Sequence, residues 1–136
     1  MNTLEKRLWG LLRGHLPKTA HVQRIETGST GQGIPDSNVC YLGVETWIEL
    51  KVVKGRKVDL SPEQVSWHHV RNRAGGRTWI LARDKADGPR KGKYDRLYLW
   101  SGSQAIDVFQ NGIKAPNHAM WERPWDWDEI VEVLLT

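Results

Sequence analysis

Asp36, Glu49 and Lys51 are the residues of this chain best suited to chemistry. Two carboxylates and an amine lie within Gly33-Ile34-Pro35-Asp36 and Trp47-Ile48-Glu49-Leu50-Lys51-Val52-Val53. The alternation from Trp47 to Val52 predicts a strand with Glu49 and Lys51 on one face and Ile48, Leu50 and Val52 on the other. Charged groups are seldom buried unpaired, because desolvation costs several kcal/mol, so such a pair on a core strand is either a structural ion pair or a site. Asp36 tips the balance toward a site. Two carboxylates offer hard oxygens suited to Mg²⁺, which takes one or two protein carboxylates beside a phosphate oxygen and keeps several waters. A cation held there polarises a phosphodiester and helps deprotonate an attacking water. Lys51, on the same face, would orient that water or offset transition-state charge.

The elements that must position these groups are legible nearby. Thr3 to about Arg13 reads as a helix, with Leu4, Leu8, Leu11 and Leu12 at helical spacing, Thr3 as its cap, and Gly14 and Pro17 closing it. His21–Ile25 reads as a strand. Thr27–Gly33, with three glycines, is a polar loop whose end presents Asp36. Strands at 37–42 and 45–53, joined at Gly43, form a hairpin, so Asp36 and Glu49 come from neighbouring strands and can share an ion. Ser61-Pro62-Glu63 starts a helix, with Ser61 as N-cap and Pro62 at its first position; it runs to about Arg73 before Gly75-Gly76 and carries Gln64 in its first turn. Residues 78–83 and 94–100 read as strands, 84–93 as a basic loop, 103–110 as a short helix and 127–135 as an amphipathic one.

Taken in order, the Gly-x-Pro-Asp turn ending at Asp36, Glu49-Leu50-Lys51 and Leu60-Ser61-Pro62-Glu63-Gln64 resemble the PD-(D/E)XK nuclease superfamily. The last element looks like the helix start of the VRR-NUC branch and its phage relatives. The resemblance spans Gly33 to roughly Trp67. It implies an α/β fold, a restriction-endonuclease-like core whose mixed central sheet is flanked by helices in the order α-β-β-β-α-β-β. It also implies catalysis by Asp36, Glu49, Lys51 and Gln64, with Mg²⁺ or Mn²⁺ held by Asp36, Glu49 and the Leu50 backbone carbonyl. Resolvase-like members often carry another carboxylate on the first helix, which makes Glu5 a candidate and Glu26, after the first strand, its competitor; the bland reading of each is a solvated charge. The implied activity is endonucleolytic cleavage of DNA, selective for Holliday-junction or other branched structures and carried out by a homodimer. Two rivals are a phage nicking or replication-associated nuclease of low selectivity, and a nucleic-acid-binding module without turnover. The intact Asp36, Glu49 and Lys51 set opposes the second.

Composition agrees with a nucleic-acid partner. At 136 residues the chain reads as a single nuclease domain, 1–136, ending in an acidic, Trp-rich segment, 121–136. Residues 1–120 hold 19 basic and 11 acidic residues, whereas 121–136 hold one Arg and five acids, so the body is more basic than the net +4 conveys. Lys54, Arg56 and Lys57 after the E-x-K strand, Arg71, Arg73 and Arg77 around the glycine pair, and Lys85, Arg90, Lys91 and Lys93 in the basic loop form a credible set of phosphate contacts, although each alone reads better as a solvated surface charge. His68 and His69 are adjacent and cannot share a helix face, so at most one would approach DNA. The single cysteine, Cys40, allows no internal disulfide and suits a reducing cytoplasm, in a bacterial or phage-infected cell; it reads as a buried hydrophobe. No apolar run is long enough to span a bilayer, and the N-terminal residues lack a signal-peptide core. Of eight tryptophans, Trp47, Trp67, Trp79 and Trp100 are expected in the core, while Trp121, Trp125 and Trp127 would make a packed cap or a subunit contact.

Overall fold

The computed structural model of the chain describes residues 3–26, 32–88 and 92–136. Its elements are α1 (Thr3–His15), β1 (His21–Arg24), β2 (Ser37–Tyr41), β3 (Val44–Lys54), β4 (Lys57–Val58), α2 (Pro62–Arg73), β5 (Thr78–Gly88), β6 (Gly92–Ser101), α3 (Ala105–Asn111), β7 (Ala119–Glu122) and α4 (Trp127–Leu135). The strands form one mixed sheet in the order β1-β2-β3-β5-β6-β7, with β4 folded against the end of β3. Among the described residues, only β3 and β5 pair in parallel. A parallel pair requires a crossover, and α2 lies within it. That topology carries the start of α2 back over the sheet beside Glu49.

Alternation along the central strands divides the apolar residues between two faces. Ile48 and Leu50 join Trp79, Leu81, Leu97 and Leu99 in a core closed by Leu8 and Leu12 of α1 and Ile130 and Leu134 of α4. On the opposite face Ile80, Ala82, Tyr98 and Trp100 pack with Ala105 and Val108 of α3 and Val65 of α2. Glu49 and Lys51 share this second face, as the strand period requires. The result is an α/β architecture, a mixed central sheet with helices on both sides. No helix among the described residues is long and apolar enough to cross a membrane.

The structure departs from the sequence expectation in several places. Strands β4 and β7 were not anticipated; at two and four residues they are too short to show a period. The segment read as a basic loop, 84–93, is largely paired strand, with Asp84 opposite Arg96 and Lys85 opposite Asp95. Its polar residues alternate on a long hairpin, which loop chemistry alone does not distinguish. Arg90, Lys91 and Thr27–Gly31 lie outside the described residues. Trp47 and Trp67 are half-buried rather than core; their rings meet edge to face at 5.3 Å and Arg71 lies over both. Trp121 and Trp125 are buried in the first core, and Trp127 stacks on His15, so these three form a packed cap.

Candidate active site

The hairpin of β2 and β3 places the two carboxylates. Ser37 pairs with Ile48, so one step further along the register Asp36 lies opposite Glu49. The backbone N–H of Asp36 donates to Glu49 Oε2 at 3.3 Å, and Asp36 Oδ2 accepts from the N–H of Leu50 at 2.8 Å. Ile25 N–H donates to the Asp36 carbonyl at 2.7 Å, tying the incoming loop to β1. Gly33 has φ +84°, and a β-carbon there would collide with the Glu63 carbonyl, so only glycine lets this loop lie against the first turn of α2. The N–H and C=O of one strand residue point to the same edge, so the Leu50 carbonyl also leaves β3 on the Asp36 side.

Gln64 joins the pair from above. Its Nε2 donates to Glu49 Oε1, while its Oε1 accepts from Ser61 N–H at 2.9 Å and its own N–H donates to Ser61 Oγ at 3.1 Å. This reciprocal cap holds the first turn of α2 and fixes the amide that orients Glu49. Glu49 is 1% exposed. Burial pushes its carboxyl well above the usual carboxylate range, the adjoining Asp36 carboxyl adds to the rise, and the Lys51 charge and the Asp36 N–H only partly oppose it. Ionising both carboxyls beside one half-buried lysine would leave excess negative charge in a poorly solvated place.

That donor set fits a hard divalent cation. Asp36 and Glu49 supply the one or two carboxylates such ions take, and neutralising them would relieve the repulsion between them. Among the described residues no group of three or more Asp, Glu, His or Cys is placed so that it could hold a metal ion. Glu5, half-buried in the first turn of α1, therefore does not join Asp36 and Glu49 in such a group. Glu26 pairs with Arg24 at 3.3 Å and its side chain is largely exposed.

The basic candidates divide. Lys54, Arg56, Lys57, Arg73, Lys85 and Lys93 are exposed, and Arg71 rests on Trp47 and Trp67. Arg77 is drawn inward instead: its guanidinium donates to the carbonyls of Val133 at 2.8 Å and Leu134 at 3.3 Å, capping α4. It is thus engaged in tertiary structure rather than offered to phosphate.

Sequence reading missed one feature of this face. His68 is fully buried whereas His69 is exposed. His68 Nδ1 meets Thr78 Oγ1 at 2.8 Å, and Asn72 Nδ2 donates to the same hydroxyl at 2.6 Å. Gly102 packs so tightly here that a β-carbon would strike Thr78 Oγ1. Burial pushes the His68 pKa down to about 4, with the positive charge of Lys51 adding to the shift. The available signal was spacing: Gln64, His68 and Asn72 recur at i, i+4 and i+8, one polar stripe along α2.

No family model matches the chain, and no curated protein matches it. Among solved structures, the chain is similar to Hjc, a Holliday junction resolvase from the archaeal hyperthermophile Archaeoglobus fulgidus. The two share 19% sequence identity over 74% of this chain and 74% of that one, with a TM-score of 0.48.

Proposed function

We propose that this protein is a divalent-metal-dependent DNA endonuclease, selective for branched or junction DNA. The observation that carries the reading is the meeting of Asp36 and Glu49 at the β2–β3 edge, with Gln64 locked onto Glu49 and Lys51 one side-chain period along the same strand face. Asp36, Glu49 and the Leu50 carbonyl would hold Mg²⁺ or Mn²⁺. Such an ion, when bound, polarises the scissile phosphate and lowers the pKa of a bound water.

The chain's own residues have separable tasks in this reading. Asp36, tied at Oδ2 to the Leu50 N–H, sets the position of the site relative to β3. Gln64 orients Glu49 by donating to one oxygen, leaving the Asp36 N–H to steady the other. Lys51 brings positive charge to the same face, where it offsets the charge that builds on a phosphate under attack. Exposed Lys54, Arg56, Lys57, Arg71, Arg73, Lys85 and Lys93, with Arg90 and Lys91, provide phosphate contacts that position the strand without reading its sequence. Selectivity for branched DNA rests on the resemblance set out from the sequence.

Purified protein incubated with Mg²⁺, Mn²⁺ or chelator and with four-way junction, flap, nicked, single-stranded and linear duplex DNA tests the whole reading. Metal-dependent incision, strongest on the junction, is the expected result. Equal cutting of all substrates would favour a nicking nuclease of low selectivity. Binding without incision under every metal condition would leave only a nucleic-acid-binding module.

A further inference from the structure

A cleft lies beyond the end of β3. It encloses about 500 Å³ between the β3–β4 turn and the chain that follows α3, and its lining includes Arg56, Lys57, Asp59, Phe109, Gln110 and Lys114. Two segments remote in sequence are locked together there: Ile113 N–H donates to the Arg56 carbonyl at 3.0 Å, and Gly112, at φ +56°, lies so close that a β-carbon would collide with that carbonyl. The juxtaposition is therefore built by backbone contacts and does not depend on side chains drifting together. Arg56, Lys57 and Lys114 are exposed, and among the described residues none of them meets a carboxylate within salt-bridge distance. Phe109, the only phenylalanine of the chain, is 48% exposed at the cleft.

An exposed aromatic ring among three cations and one acid is unfavourable for an apolar partner, which would have to desolvate the charges, and favourable for a polyanion that carries flat apolar groups. An unpaired nucleotide strand has both features. Its phosphates would neutralise the cations and release counterions, and a base would cover Phe109. Strands rise about 3.3 Å per residue, so the end of β3 at Lys54 lies about 16 Å from Glu49, a separation that a few nucleotides of one strand span.

We infer that this cleft is a second nucleic-acid contact, in which Arg56, Lys57 and Lys114 take backbone phosphates and Phe109 stacks on an unpaired base beside the cut. The inference rests on the nuclease reading above for what lies at the other end of the strand, and adds to it a preference for DNA with single-stranded character. Lys114 and Phe109 are the residues it adds; sequence spacing does not connect them to Arg56.

The experiment uses the full chain carrying Asp36→Asn, so that DNA is not consumed, and follows fluorescence anisotropy of a short dye-labelled oligothymidine and of a blunt duplex. Phe109→Ala should weaken oligothymidine binding between about five- and a hundredfold while changing duplex binding far less, and Phe109→Tyr should restore it. Arg56→Ala, Lys57→Ala and Lys114→Ala combined should flatten the slope of log affinity against log salt by about two, since each single-strand phosphate contact contributes about 0.7. Circular dichroism melting of each variant shows that the fold persists. Unchanged oligothymidine affinity for Phe109→Ala, or an unchanged salt slope for the triple variant, overturns the inference. So does loss of wild-type self-association on combined Ile106→Ala and Phe109→Ala replacement with DNA affinity intact, which would make the patch a contact between copies of the chain. The two readings fail separately. A chain that cuts no DNA, yet loses affinity in these variants, keeps the cleft and loses the nuclease; one that cuts, but binds equally well in all variants, does the reverse.

Discussion

At the scale of single residues, the site is two carboxylates that are costly to hold together. Burial and the neighbouring Asp36 carboxyl drive Glu49 toward its protonated form, and a cation bound between the two, as proposed, would relieve that cost. Asp36→Asn, Glu49→Gln and Lys51→Ala should each reduce cleavage by orders of magnitude while leaving DNA affinity within about tenfold, or about 1.4 kcal/mol. Single-turnover cleavage and anisotropy on the same junction measure the two quantities, and wild-type turnover in any of the three variants removes that residue from the proposed site. Gln64 has a double duty that makes a second prediction. Gln64→Ala breaks the reciprocal cap and frees Glu49 to rotate, so stability should fall by about 1 kcal/mol and cleavage about 10- to 100-fold. If cleavage falls only in proportion to the unfolded fraction, Gln64 acts on α2 alone.

At the scale of elements, α2 is unusual in burying polar groups against the sheet. His68, Asn72 and Thr78 form a small network beneath it, and His68 remains neutral at a folded pKa of about 4 against an ordinary 6.5. The sign follows directly. As pH falls below 6.5 the unfolded chain takes up a proton that the folded chain refuses, so this stability is fully present above 6.5 and is lost progressively down to about 4. The loss amounts to about 3 kcal/mol. Glu49 acts in the opposite sense, since its raised pKa stabilises the metal-free fold at low pH and that contribution is lost as pH rises through the folded value. Urea midpoints measured from pH 4 to 7 in a Glu49→Gln background should therefore rise with pH, and His68→Gln should flatten that rise. An unchanged slope would mean that His68 protonates without cost in the fold.

At the scale of the molecule, the C-terminal segment is bound to the sheet. Asp95 of β6 receives Arg83 at 3.0 and 2.8 Å and Arg123 at 2.9 Å, and its carbonyl accepts from Trp125 Nε1 at 3.1 Å. Burial pushes the Asp95 carboxyl up, but the two guanidiniums outweigh it and hold the group below its ordinary range. With Trp121 and Trp125 buried, the aromatic surface expected to favour a dimer is mostly internal. The case for a dimer then rests on the chemistry of junctions: symmetric resolution needs two incisions, most simply made by a two-fold pair of identical sites. A junction-resolving enzyme should scatter light as a species of about 31 kDa, twice the chain mass of 15.6 kDa, and should make paired nicks in one binding event on a cruciform plasmid. A particle that stays monomeric on junction DNA and makes only single nicks contradicts that assembly.

Sequence alone determined whatever depends on short-range periodicity and local bonding. Alternation placed Glu49 and Lys51 on one face of β3, and the Ser61-Pro62-Glu63-Gln64 run specified its own helix start, because a cap bonds residues only three apart. Gly43 marked the hairpin that sets Asp36 opposite Glu49. Tertiary structure decided whatever depends on contacts between distant segments. It drew Arg77 to the end of α4, buried His68 while leaving His69 exposed, and pinned Ile113 to Arg56 so that Phe109 and Lys114 share a cleft with Lys57. No local pattern carries that information. An exposed arginine and a capping arginine have the same neighbours along the chain, and which of the two forms is settled by the carbonyls that the folded backbone leaves unpaired.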